Sequence, residues 1–250
     1  MQLFSIFLGL GALSGLLLAG WRAPQKEATR YLDASLGILL AALIGARALT
    51  VIVGWSYYQG HMDKIIQVWL GGLSGIGALA GGVLGIIIIA LLLKYPISVL
   101  ADTFLPLAGT LAITAWLGSW ASGSSYGAVS GAWWALPGRD EWGLLETHVP
   151  VQLLGAILSL AIILISEWLG KRFPSRGMGG ALGLLGLSSV IFGLSFLRAD
   201  PAQIWFKLRL EAWGAIGLMV FSVVIVVVLL VRWLYKRQRL KRGEAPIIGR

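Results

Sequence analysis

The chain contains no cysteine and only two histidines in 250 residues, and only 12% of its residues are charged. Without a thiol it can form no disulfide, run no thiolate catalysis and build no thiolate metal site. His61 and His148 stand alone in separate loops, and two lone imidazoles without further ligands do not make a metal centre. No cofactor or metal is therefore expected. Also missing are a Walker loop, a dinucleotide fingerprint and a nucleophile–base pairing. The serines at 119, 122, 124 and 125 form a loop cluster rather than a G-x-S-x-G elbow. Hydrocarbon takes the place of charge. The chain is 58% hydrophobic with a mean hydropathy of +0.84, a composition that excludes a soluble globular domain and fits a polytopic membrane protein.

Apolar runs long enough to cross about 30 Å of hydrocarbon recur throughout. Seven are read, at about 3–21, 36–56, 66–93, 97–119, 150–169, 178–197 and 213–232. The expected fold is therefore all-α: one polytopic helical bundle over 1–250 with seven transmembrane helices. The first run lacks a basic leader and is long enough to remain as a span rather than be cleaved. The third is longer than one crossing needs, so it should tilt or begin with an interfacial piece near Ile65–Leu70. Most of the twelve tryptophans fall near span ends, where an amphipathic ring prefers the headgroup layer. Trp116 and Trp120 are exceptions.

The net charge of +9 would suggest nucleic acid in a soluble protein, but its distribution argues against that. Assigning loops alternately puts fourteen Lys and Arg on one side and five on the other, with Arg47 inside a span. The positive-inside rule then places the N-terminus outside and the C-terminus in the cytoplasm. The basic tail at about 232–250 reads as a topology anchor touching anionic lipid. The longest extramembrane segment, about 121–149, lies outside. It carries Arg139, Asp140, Glu141 and Glu146, opens as loop over Ser122–Gly127, and has room for a short interfacial helix.

Between Gly71 and Gly85, seven of fifteen residues are glycine. Read as one helix from Trp69 to Gly85, this stretch would be poor helix chemistry in water. In lipid the backbone has no other partner for its polar groups, so the helix persists. Gly77, Gly81 and Gly85 repeat every four residues, the small-xxx-small pattern of close helix contact, expected here with the fourth span. Two charges lie within spans. Arg47 faces either a polar cavity, where it would hold an anionic headgroup, or a structural partner, a buried pair or a clasp of backbone carbonyls that fixes helix packing; for Asp102 the structural alternative is the better reading. Glu167 is expected to pair with Lys171 one helical turn on.

Five stretches in order resemble the prolipoprotein diacylglyceryl transferase family, seven-span bacterial enzymes that move a diacylglyceryl group from phosphatidylglycerol to a lipobox cysteine. Gly45-Ala-Arg47 is similar to the arginine motif of the second span, and Trp69–Gly82 to G-G-L-S-x-H-G-G-L-x-G. Ala101–Pro106, followed by Gly118 and Gly123–Gly127, resembles D-x-x-A-P and the end of R-x-G-N-F-x-N-G-E-x-x-G. Pro150–Leu153 resembles P-x-Q-L, and Leu197–Asp200 resembles F-x-R-x-D. The resemblance implies the family's seven-span fold, the bacterial inner membrane and an anionic, phosphatidylglycerol-like lipid. Arg47, Gly71, Gly72, Ser74, Gly77, Trp116 and Tyr126 are the lipid-binding candidates it implies.

The departures from the family pattern are chemical. Its histidine falls on Ile76, its signature arginine on Trp116, its asparagines on Ser119 and Ser122, and its glutamate on Ser124. The glutamate after P-x-Q-L-Y falls on Gly155, and the late arginine near Ile191. Transfer to a thiol needs a base for the cysteine and cationic donors for the departing glycerol phosphate. The expected function is thus a lipid-binding or accessory membrane subunit on the transferase scaffold, without the reaction. One alternative is an active, divergent transferase using Arg47, Asp102, Glu146, His148 and Arg198. A weaker one is a small-molecule transporter.

Overall fold

The structure is a computed structural model that describes residues 2–23, 27–139, 143–173 and 175–241. Asp140 and Glu141 of the long loop, and the tail beyond Lys241, lie outside the described residues. Nine α-helices carry the described chain: α1 Gln2–Arg22, α2 Ala28–Val53, α3 Trp55–Tyr58, α4 Gly75–Leu93, α5 Ile97–Thr103, α6 Leu105–Ser122, α7 Val151–Arg172, α8 Met178–Ser195 and α9 Leu210–Lys241. Six of them are long and apolar enough to cross a membrane singly. The pair α5 and α6, bent by 43°, makes a seventh crossing if taken as one span.

That bend falls inside what reads in sequence as a continuous fourth span. Its cause is Pro106 in the first turn of α6. A proline has no N–H to offer the preceding turn and disfavours helical backbone just before it, so α5 stops at Thr103 and α6 restarts beyond Phe104. Other boundaries also shift. The second span begins at Ala28 rather than near 36. The seventh runs on as helix to Lys241, about 48 Å at 1.5 Å per residue, so the cations of 232–241 extend a helix out of the bilayer. The third span starts only at Gly75. Trp69–Ser74, expected to be helical, is the end of a short 3₁₀ turn followed by irregular chain. Gly71 at φ +88° and Gly72 at φ +69° hold a backbone that other residues rarely adopt. Ser74 then caps α4 by accepting from the Gly77 N–H at 3.1 Å.

The helices neighbour one another in the order α4, α2, α1, α6, α7, α8, α9, with only slight contact closing the ring between α9 and α4. The tightest approach is that of α4 to α2. A Cβ on Gly77 would stand 2.5 Å from the Gly45 carbonyl oxygen, and one on Gly85 would stand 2.7 Å from Ala41 Cβ. The four-residue glycine stripe therefore meets the second span, not the fourth; Gly45 on α2 supplies the complementary notch.

The loops on the face opposite the basic helix ends hold two small antiparallel hairpins. In the first, β1 (Leu136–Arg139) pairs with β2 (Leu145–His148), in the segment that had room for a short interfacial helix. In the second, β3 (Ile204–Trp205) pairs with β4 (Leu208–Arg209). On the basic face, Glu167 pairs with Arg22 at 2.8 Å, tying α7 to α1, instead of with Lys171.

Candidate functional site

The ring of helices surrounds a cavity of about 1680 Å³, walled by α1, α2, α4, α6, α8 and α9. From α4 it takes Ile86 and Ile87, and from α9 Phe221, Ile225 and Leu229, so it descends along the seam where those two helices barely touch. Most of the wall is apolar, made of aliphatic and aromatic side chains and glycine. Polar groups gather at the loop-rich end, where Ser119, Ser125, Arg198, Gln203, Arg209 and Glu211 meet. A two-tailed lipid has the same distribution of polarity: a long apolar body with a polar head at one end.

The charged groups at that mouth form a closed cluster. Arg198 donates to Asp200 at 2.8 and 2.6 Å and to Glu211 at 2.8 and 2.9 Å. Arg209 donates to Glu211 at 2.9 Å, to Asp200 Oδ2 at 3.0 Å and to the Asp200 carbonyl at 2.9 Å. Burial opposes the charge on Arg198, but hydrogen bonds to Asp200 and the fields of Glu211 and Asp200 outweigh it and raise its pKa. Two cations and two anions thus fasten the end of α8 to the start of α9. Sequence reading singled out Arg198 alone. The two Arg-x-acid pairs, 198/200 and 209/211, were a visible signal, yet only the β3–β4 turn brings them together.

Arg47 is placed differently from the headgroup-binding expectation. It is 8% exposed and lies six residues before the end of α2. Beside it on this helix the cavity wall is made by Ala46, Leu49 and Thr50, and Arg47 itself is not part of the wall. The guanidinium turns instead into the 64–72 segment, donating to the carbonyls of Ile65 at 2.8 Å and of Gly71 and Gly72 at 2.9 Å each, and to that of Lys64. It also sits 5.2 Å from the centre of the Tyr58 ring. Four of its five N–H groups are thereby committed to backbone. Gly71 and Gly72 have their part here, since their left-handed φ aims both carbonyls at one nitrogen. Ser74 borders the cavity, whereas Gly77 is buried against α2.

Asp102 is likewise a clasp. Its carboxylate accepts from the N–H groups of Gly177 at 2.5 Å and Gly180 at 2.9 Å, satisfying orphan donors at the start of α8. Glu146 is exposed on β2. His148 is buried, and its Nδ1 donates to the Gly127 carbonyl at 2.9 Å while the ring lies 5.3 Å from that of Tyr126. Of the five candidates for catalysis, Arg198 is the one that borders the cavity.

Most of the positions that depart from the family pattern pack closely, either on one another or on a glycine of a neighbouring helix. Trp116 lines the cavity and lies flat against Gly155, where a Cβ would come within 2.5 Å of ring atom Cε2. Ile76, 4% exposed, fills the space over Gly214, whose Cβ would fall 2.5 Å from Ile76 Cγ2. Ile191 reaches to 3.6 Å from the Cβ position of Gly75. Ser119, Ser122 and Ser124 close the C-terminal end of α6: the Ser122 and Ser124 hydroxyls are 3.0 Å apart, and Gln152 Nε2 donates to the Ser124 carbonyl at 3.0 Å.

Comparison with known proteins follows the same lines. Residues 1–238 match the family described as prolipoprotein diacylglyceryl transferase. The chain is similar to the phosphatidylglycerol–prolipoprotein diacylglyceryl transferase of Streptomyces griseus, 28% identical over 218 residues, covering 83% of this chain and 66% of that protein. It thus spans just under two thirds of that relative's length. Similarity to the second such transferase of Streptomyces coelicolor is 28% over 235 residues, covering 90% and 74% of the two chains. A protein of the same description from Bacillus licheniformis is 46% identical over 90 residues, 35% of this chain and 33% of that one.

Proposed function

Because the chain belongs to the prolipoprotein diacylglyceryl transferase family, we propose that it is a multi-pass protein of the bacterial inner membrane that holds a diacyl lipid in its cavity without transferring it. The relatives' name supplies the lipid class, phosphatidylglycerol-like and anionic. Its acyl chains would fill the aliphatic shaft, and its head would lie at the mouth among Ser119, Ser125, Gln203 and the Arg198 cluster. The observation that carries the reading is the packing of Trp116 on Gly155 and of Ile76 on Gly214. Bulk and hydrocarbon occupy the cavity wall where deprotonating a thiol and stabilising a departing phosphate would need a base and cations.

A second reading, an active and divergent transferase, draws its support from the names the relatives carry, which favour it over the first. One assay separates the two. Purified protein supplied with phosphatidylglycerol and a lipobox peptide is expected to yield no thioether product above background, while mass spectrometry finds a diacyl lipid bound. Losing one oxyanion-type donor typically costs ~10²–10³ in rate, and losing acid–base help another ~10²–10⁴. Turnover near that of an unaltered relative would establish the second reading and direct attention to Arg198 and Glu211. Absence of any bound diacyl lipid would remove the first.

The proposed orientation follows the basic residues, with the N-terminus outside and the C-terminus in the cytoplasm. Reporter fusions at Tyr58 and Gly243 are expected to report opposite sides of the membrane; the same side for both would overturn it.

A further inference from the structure

The β3–β4 hairpin is built against the preferences of its own turn. Ile204 pairs with Arg209 and Trp205 with Leu208, leaving the two-residue loop Phe206-Lys207 with φ of +45° and +63°. Such a turn favours Asn-Gly, and a bulky aromatic residue at positive φ is an outlier that persists only where the surroundings enforce it. The base is well enforced. Arg209 is locked to Asp200 and Glu211, Trp213 Nε1 donates to the Trp205 carbonyl at 2.9 Å, and Gln203 Nε2 donates to the Val53 carbonyl at 2.6 Å. Through these bonds the hairpin reaches from the first turn of α9 to the end of α2, above the seam between α9 and α4. The side chains from the base to the turn are nonetheless open: Ile204 is 71% exposed, Trp205 57% and Phe206 73%, Lys207 is exposed beside them, and the Trp205 ring rests on those of Phe206 and Trp213 with centroids 5.0 and 5.9 Å apart.

We propose that this tip is a membrane-insertion element. Ile204, Trp205 and Phe206 enter the headgroup layer of the leaflet at the loop-rich face, and the Lys207 ammonium meets lipid phosphates. The place in the chain supports a lipid partner. The hairpin leads directly into α9, whose apolar residues Val220, Phe221, Val223 and Val224 are exposed, and Trp213, three residues into that helix, holds it at the level where a helix leaves hydrocarbon. Apolar and aromatic side chains flanked by a lysine are the composition that settles at that boundary. The strained turn then has a physical reason, since Asn-Gly would relax the backbone but remove the anchor.

The absence of cysteine makes the test direct, because a single introduced thiol is the only labelling site. Nitroxide would be attached at Phe206→Cys and, in a second variant, at Ile204→Cys. The protein would be placed in nanodiscs of mixed phosphatidylcholine and phosphatidylglycerol, and collision rates measured with oxygen and with a water-soluble nickel chelate. Asp63→Cys, in an exposed loop, gives the aqueous reference, and Val223→Cys, on the exposed face of α9, the lipid one. Both tip labels are expected to be rich in oxygen and poor in nickel contact, with a ratio several-fold above that of Asp63→Cys. Values matching Asp63→Cys would place the tip in water and overturn the proposal. Labels shielded from both reagents would mean that protein covers the tip, which overturns it equally. The measurement needs no ligand in the cavity, so it stands apart from the fate of the lipid-binding reading.

Discussion

Arg47→Leu is expected to lower the stability of the folded protein by about 3–5 kcal/mol, because several backbone carbonyls lose their common donor at once. The mechanism is loss of donors. Four carbonyls, those of Lys64, Ile65, Gly71 and Gly72, converge on this guanidinium, and each buried acceptor left without a partner costs on the order of 1–3 kcal/mol. Some will find water as the 64–72 segment loosens, which keeps the total below the simple sum. Arg47→Lys is expected to fall between, since a compact ammonium cannot span carbonyls that a planar fork reaches together. Thermal unfolding in detergent, with bound lipid quantified on the same samples, checks this. A leucine variant that melts with the native protein would show that the clasp is energetically idle. One that melts normally but loses its lipid would return Arg47 to the headgroup role expected from sequence.

Gly81→Leu should be more damaging still. A Cβ at this position would press on the Ala41 carbonyl and lie 3.0 Å from Gly45 Cα, so the obstacle is backbone and no rotamer change relieves it. Overpacking a core with movable side chains costs typically ~1–3 kcal/mol; here α2 and α4 must separate, and with them the wall that positions Ser74 and the Arg47 clasp. The expected result is little or no monodisperse protein by size-exclusion chromatography. Gly82→Ala is the control one residue away, because its Cβ would meet only Ala42 Cβ at an ordinary 3.9 Å. If leucine at 81 yields well-behaved protein, the close α2–α4 contact is not required for folding.

Both results turn on a distinction between what a linear pattern contains and what it does not. The spans, the basic face and the glycine stripe are legible in sequence because each is a local sum. Twenty apolar residues are unfavourable in water whatever lies beside them, and a four-residue repeat of small side chains puts a groove on one helix face by helical geometry alone. The same holds for the family motifs, whose order along the chain is itself the signal. Pro106 also carried its consequence in plain view, although hydropathy averaged over the window smoothed the bend away.

Partnerships were decided by the tertiary structure. The stripe at Gly77, Gly81 and Gly85 required some close neighbour, but only the ring order of the helices made that neighbour α2, through Gly45 and Ala41. Arg47 required satisfaction of its charge, yet two of its acceptors are the carbonyls of Gly71 and Gly72, in a non-helical stretch that the apolar pattern had read as helix. Arg198 found Glu211 across a hairpin of two-residue strands too short to show periodicity. The physical reason is common to all three. Transfer from water to lipid is a property of one segment and adds along the chain, whereas hydrogen bonds, ion pairs and backbone contacts are relations between distant positions whose energy exists only once the fold has brought them within a few ångströms.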